Sequence, residues 1–239
     1  MSQTNPAPES NDPQPRPRPI PGIHTPGDIV PSFKFTPRPD AEVEAELKRR
    51  KEAERRVRVK ELQDVCRAPD RQWSRKELDR SGRWGETEKM ILARLGSEEG
   101  LLLGLIGPRG LGKTQLAVEA IRHTTGVLLR SARYVTATDL ALEISATYRD
   151  GATESERDVI ARYRRPHLLV IDEYHLRSGG ERETRLFEEL LDKRYCARKD
   201  TILVATQPRE DFRVNIGSSA ASRMKETGAL IECDWQSYR

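Results

Sequence analysis

Eight consecutive residues, Gly107-Pro108-Arg109-Gly110-Leu111-Gly112-Lys113-Thr114, carry the glycine spacing and Lys-Thr ending that can enclose a phosphate chain. Glycines 107, 110 and 112 let the backbone curl until its N–H groups face phosphate oxygens, and a helix opening at Lys113 adds a favourable field. In such a loop Lys113 reaches the β- and γ-phosphates and the Thr114 hydroxyl ligates Mg²⁺. Pro108, Arg109, Leu111 and Gln115 complete the cofactor-binding run. The signature predicts ATP and Mg²⁺ as cofactors.

A second set lies about 60 residues on, where Leu168-Leu169-Val170-Ile171 ends in Asp172-Glu173. Four apolar residues followed by two acids place carboxylates at the C-terminal edge of a buried strand, where open α/β sheets bind ligands. Asp172 is expected to hold Mg²⁺, mostly through water, and Glu173 to activate the attacking water as general base. The run Thr201–Ala205 ends in Thr206-Gln207. A polar side chain there can sit between Glu173 and the γ-phosphate, with Thr206 better placed by topology and Gln207 longer in reach; a plain strand-end cap is the alternative. Arg223, beside Ser222, can complete a neighbour's ATP site or simply be solvated. His175 has no second histidine or cysteine placed to form a metal site, so it reads as a surface or supporting residue. Arg162, Arg164 and Arg165, with Arg109, could contact DNA phosphate or remain solvated surface charge.

These residues need strands and helices in alternation. Leu101–Ile106 reads as a buried parallel strand, followed by a helix from Lys113 to about His123. Gly126–Leu129 and Arg133–Val135 surround a second strand or strand pair. Thr138 or Asp139 can cap the next helix, which runs to about Tyr148. A polar helix spans roughly 153–164 and stops at Pro166. Strand 168–171, helix Glu183–Tyr195, strand Thr201–Ala205, helix Gly217–Glu226 and strand Ala229–Cys233 follow. Such alternation predicts an α/β fold of P-loop type, a mostly parallel sheet between helices.

Upstream, the pattern changes. Residues 1–39 hold 11 of the 15 prolines, including Pro15-Arg16-Pro17-Arg18-Pro19, which predicts a disordered or polyproline tail over 1–40. From 41 to 86 a charged helical linker or partner-binding segment is expected. Glu44–Lys48 and Glu52–Arg56 are spaced for helix-surface pairing, and the apolar positions form no broad stripe. A short amphipathic helix over Thr87–Leu95 opens the ATPase domain, 87–239.

The chain has 42 Lys plus Arg against 38 Asp plus Glu, a bias that permits nucleic-acid binding without demonstrating it. Three widely spaced cysteines fit neither a zinc knuckle nor a disulfide scaffold. With no signal peptide and no long apolar run, the expectation is a cytoplasmic protein with no membrane contact.

Residues 87–239 resemble the ATPase domain of the DnaC/IstB-like branch of AAA+ proteins, comprising helicase loaders and transposition ATPases. The resemblance rests on 107–114, Tyr134-Val135-Thr136-Ala137-Thr138-Asp139-Leu140, Asp172-Glu173, Leu186 through Arg194-Tyr195, and the ending Asp234-Trp235-Gln236-Ser237-Tyr238-Arg239, which is like that of phage-type loaders. It implies an ATP-hydrolysing homo-oligomer that binds DNA, single- or double-stranded, and positions a replicative helicase or a transposase upon it. It also implies that Arg223 acts in trans. Two departures stand out: Thr206 replaces the usual sensor Asn, and Arg109 replaces a proline. The shorter Thr206 leaves open a nucleotide-dependent binding module with little turnover.

Overall fold

The computed structural model describes residues 40–97, 99–177 and 180–236. The Pro/Arg-rich tail expected over 1–40 lies, apart from Asp40, outside them. The chain divides into two compact units, Met1–Glu46 and Leu47–Arg239.

Helix α1 (Asp40–Asp64) is polar on all sides. Its side chains are exposed almost throughout, with Leu62 buried near its end, and exposed pairs such as Arg50–Glu54 and Arg58–Glu61 line its surface. Cys66, Trp73 and Leu78 then join one apolar cluster, together with Trp84, Ile91 and Leu95 of α3 (Gly82–Arg94) or just after it. Packing thus carries residues 66–86 into the same core as the segment after 87. The amphipathic helix expected from Thr87 starts five residues earlier, at Gly82, because Trp84 and Gly85 are also buried on its inner face.

Five strands form one parallel sheet in the order β2-β3-β4-β1-β5, with β1 Leu102–Ile106, β2 Ala132–Thr136, β3 Leu168–Asp172, β4 Asp200–Val204 and β5 Ala229–Glu232. The three inner strands are buried on both faces, which is why they read as continuous apolar runs. Successive residues serve opposite faces: Leu103, Leu105, Leu168, Val170, Ile202 and Val204 pack with α3 and α4 (Lys113–Gly126). Leu102, Ile106, Leu169, Ile171 and Leu203 pack with α5 (Ala137–Ala146), α6 (Glu156–Arg164), α7 (Glu181–Cys196) and α8 (Arg209–Thr227). Because all strands run the same way, the segments following β1, β3 and β4 emerge at one edge of the sheet.

Several boundaries differ from expectation. No strand forms at 126–129: α4 continues to Gly126, Val127 caps it, and Leu129 turns the chain at φ 53°. The cap of α5 is Thr136, whose hydroxyl oxygen accepts from the Asp139 N–H at 3.0 Å. Helix α6 begins with a reciprocal Ser155–Asp158 capping box. Helix α8 starts at Arg209, not Gly217; Gly217 is instead a break inside it, at φ 78° and ψ 157°.

Candidate functional site

The loop after β1 has its three glycines at positive φ, 126° at Gly107, 90° at Gly110 and 75° at Gly112. Gly107 is also fixed by crowding, since a Cβ there would lie 2.4 Å from the Cys233 carbonyl oxygen. Lys113 is buried, and its ammonium donates to the Gly107 and Pro108 carbonyls at 2.7 and 2.6 Å. Burial lowers its proton affinity below the usual lysine range, while the negative charge of Asp172 opposes that shift. The cation is therefore folded into the loop, on carbonyls it can exchange for phosphate oxygens.

Thr114 and Asp172 meet directly: the hydroxyl donates to Asp172 Oδ2 at 2.7 Å. The same oxygen accepts the Tyr134 hydroxyl at 2.9 Å, and Oδ1 accepts the Glu173 N–H at 2.7 Å. Burial, and then the Asp172 charge, hold Tyr134 protonated far above the ordinary phenol range. Asp172 is thus an almost buried carboxylate gripped from three directions. Glu173 has left-handed backbone, φ 52°, uncommon for a non-glycine residue, and its side chain is exposed. The chain then enters a 3₁₀ turn, Tyr174–Leu176. Past β4, the Thr206 N–H donates to His175 Nδ1 at 3.2 Å, tying the two strand ends together. Burial lowers the His175 pKa, which favours the neutral ring that this contact needs.

Lys113, Thr114, Asp172, Glu173 and Thr206 line one cleft of about 410 Å³. Arg109, Gly110, Leu111, Gly112 and Gln115 line it as well, so the structure brings those sequence-selected residues together; Gly107 and Pro108 do not line it but accept from Lys113 through their carbonyls. Sequence reasoning missed Arg71, Gln72 and Arg75, which line the cleft from the segment containing α2 (Asp70–Trp73). The Gln115 amide nitrogen reaches the Gln72 carbonyl at 3.2 Å and Glu119 at 2.9 Å, holding that segment against α4. Tyr134 was also missed as a site residue. No local spacing could have shown its contact with Asp172, 38 positions away.

Arg223 does not line this cleft. It pairs with Asp192 and its guanidinium stacks 4.7 Å from the centre of the Tyr195 ring.

The donor set fits a magnesium–nucleotide complex. A hydroxyl and a carboxylate converge on one point, and Mg²⁺ is commonly held by one or two carboxylates together with substrate phosphates. No cluster of three His, Cys, Asp or Glu able to hold a metal unaided exists among the described residues. The glycines at positive φ free this loop to turn backbone N–H groups toward a phosphate, with the Lys113 ammonium folded into it.

The sequence model of the IstB-like ATP binding protein family matches residues 96–223, more than half of the 239-residue chain. The chain belongs to that family. Its fold is that of the AAA+ ATPases. The DnaC helicase loader is similar at a TM-score of 0.57 and 19% identity, over 70% of this chain and 100% of that one. A primosome component from Streptococcus pyogenes serotype M3, described as putative, is similar at 0.56 and 15%, over 73% and 94%. A replication initiator DnaA bound to AMPPCP and single-stranded DNA is similar at 0.52 and 25%, over 63% and 45%. This chain therefore spans less than half of that initiator, and 44% of a DNA replication initiation factor it also matches. No curated protein matches the chain. Among the described residues, no helix is long and apolar enough to cross a membrane.

Proposed function

We propose that the protein is a DNA-associated ATPase that hydrolyses ATP in a homo-oligomer and loads a replicative helicase onto DNA. The observation that carries the enzymatic part is the convergence of Lys113, Thr114, Asp172 and Glu173 on one cleft at the carboxyl edge of the sheet. Lys113 leaves the loop carbonyls to neutralise the β- and γ-phosphates, and the backbone N–H groups of 110–114 orient them. Thr114 and Asp172 supply the protein oxygens for Mg²⁺, which when bound neutralises phosphate charge. Glu173, with its carboxylate exposed at the cleft, takes a proton from the attacking water. Thr206, at the end of β4, contacts the γ-phosphate side and signals its loss through His175. Arg223, outside its own chain's cleft, acts on a neighbour's nucleotide, which makes the site an intersubunit one.

The loader assignment is supported by likeness in fold to the DnaC helicase loader over the whole of its solved chain. An ATPase that assists a transposase is the second reading, favoured by the IstB-like family match. DNA as a ligand is supported by the AMPPCP- and single-stranded-DNA-bound initiator of the same fold.

One variant tests both parts. Glu173→Gln retains ATP binding while turnover falls about 10²- to 10⁴-fold, the usual contribution of a general base. Undiminished turnover refutes that role. Held in its ATP-bound state, the same variant captures its cargo from the cell that makes it. A replicative helicase supports the loader reading, and a transposase selects the other.

A further inference from the structure

The ending Asp234-Trp235 has no part in the chemistry above, yet it lies against the loop that has. Strand β5 pairs with β1 so that Glu232 stands opposite Ile106, and the next N–H, of Cys233, donates to the Ile106 carbonyl at 2.8 Å. The chain then passes so close to Gly107 that no side chain fits between them. Asp234 pairs with Arg83 at 2.5 Å. Trp235 packs into the apolar cluster containing Trp84, and its indole Nε1–H donates to the Leu111 carbonyl at 2.9 Å.

The peptide plane gives this last contact its significance. Among the described residues every peptide bond is trans, so the Leu111 carbonyl and the Gly112 N–H point in opposite directions within one rigid plane. Holding the carbonyl toward Trp235 turns the N–H away from it. The neighbouring plane is held in a similar way. Its Gly112 carbonyl accepts the Leu116 N–H at 2.9 Å and, at a longer 3.4 Å, the Trp84 indole, leaving the Lys113 N–H on the opposite side. A stretch with glycines on either side of Leu111 has many alternative conformations, and an external anchor removes them before any ligand arrives.

We propose that Cys233–Trp235 is a strap that sets the shape of the phosphate loop, with Trp235 the positioning residue that aims the Gly112 N–H at bound phosphate. The proposal rests on the reading of the cleft as an ATP site. Trp235 touches no reacting atom; it acts through the Leu111–Gly112 peptide.

The test is Trp235→Phe, which keeps an apolar ring and removes the indole donor. Affinities for ATP and ADP are measured by calorimetry, and for adenosine by displacement of a fluorescent nucleotide. Loss of one hydrogen bond's worth of organisation weakens ATP and ADP binding about five- to tenfold and leaves adenosine unchanged. Hydrogen exchange at the amides of 111–113 in the nucleotide-free variant becomes faster. Unchanged ATP affinity overturns the proposal. So does an equal loss for all three ligands, adenosine included, which marks Trp235 as packing alone. A wild-type chain that binds no ATP brings down the reading of the cleft, and the strap's role with it.

Discussion

Replacing Arg194 by Met tests whether one buried cation holds together the segment that presents Asp172. Arg194 is fully buried on α7, and burial pushes its pKa down to about 9. Its guanidinium donates to the carbonyls of Tyr163, Arg164 and Pro166 at 2.9 to 3.2 Å, and so occupies acceptors that the end of α6 leaves without helical partners. It also reaches the His167 and Asp200 carbonyls and the Thr201 hydroxyl, at the entrances to β3 and β4. In Arg194→Met the methionine fills much of the volume but pairs with none of these acceptors. Each buried carbonyl left alone costs about 1 kcal/mol or more, partly offset because no guanidinium need be desolvated. The net loss is about 3 to 5 kcal/mol, comparable with breaking a buried charge network. For a domain of this size, that lowers Tm by about 10 °C. Urea unfolding followed by circular dichroism measures the loss, with Arg194→Lys expected to fall between the two because one ammonium cannot span all these acceptors. An Arg194→Met chain within about 1 kcal/mol of wild type refutes the argument, since it would mean that water or local rearrangement satisfies the carbonyls.

Two further outcomes follow from the site. Tyr134→Phe removes one of the three donors that hold Asp172, and the Mg²⁺ concentration for half-maximal binding of a fluorescent ATP analogue rises about tenfold; an unchanged midpoint excludes a positioning role for the hydroxyl. Arg223→Ala leaves ATP binding intact and lowers turnover of the assembled protein by about 10³-fold or more. Mixing it with Lys113→Ala chains, which keep Arg223 but bind nucleotide poorly, restores activity, and absence of rescue refutes action across subunits.

What could be read from the sequence was what is local along the chain. The loop at 107–114 declares itself in eight residues, and the buried strand before Asp172 in four, because burial on both faces leaves no polar position within the run. Where two local signals compete, the sequence alone does not choose between them. Val127-Leu128-Leu129 is apolar enough for a strand, but it follows a helix whose final turn is still forming, and a short apolar run does not distinguish the two. Gly217 looked like a helix start, whereas Pro208 with Glu210 and Asp211 behind it marks the true one. Contacts between distant residues leave no such trace: Tyr134 to Asp172, Trp235 to Leu111, and Arg194 to the end of α6 exist only once the sheet has formed.

The break at Gly217 has a mechanical consequence. A continuous helix is a stiff rod, and bending it sharply means giving up hydrogen bonds within a turn. In α8 that interruption is already part of the resting structure. Both halves are anchored in the same core, the first by Phe212 and Ile216 and the second, which bears Arg223, by Ala220 and Met224. One residue without a side chain therefore sets the angle at which two core-anchored half-helices meet, and with it the place on α7 where the second half lays its arginine.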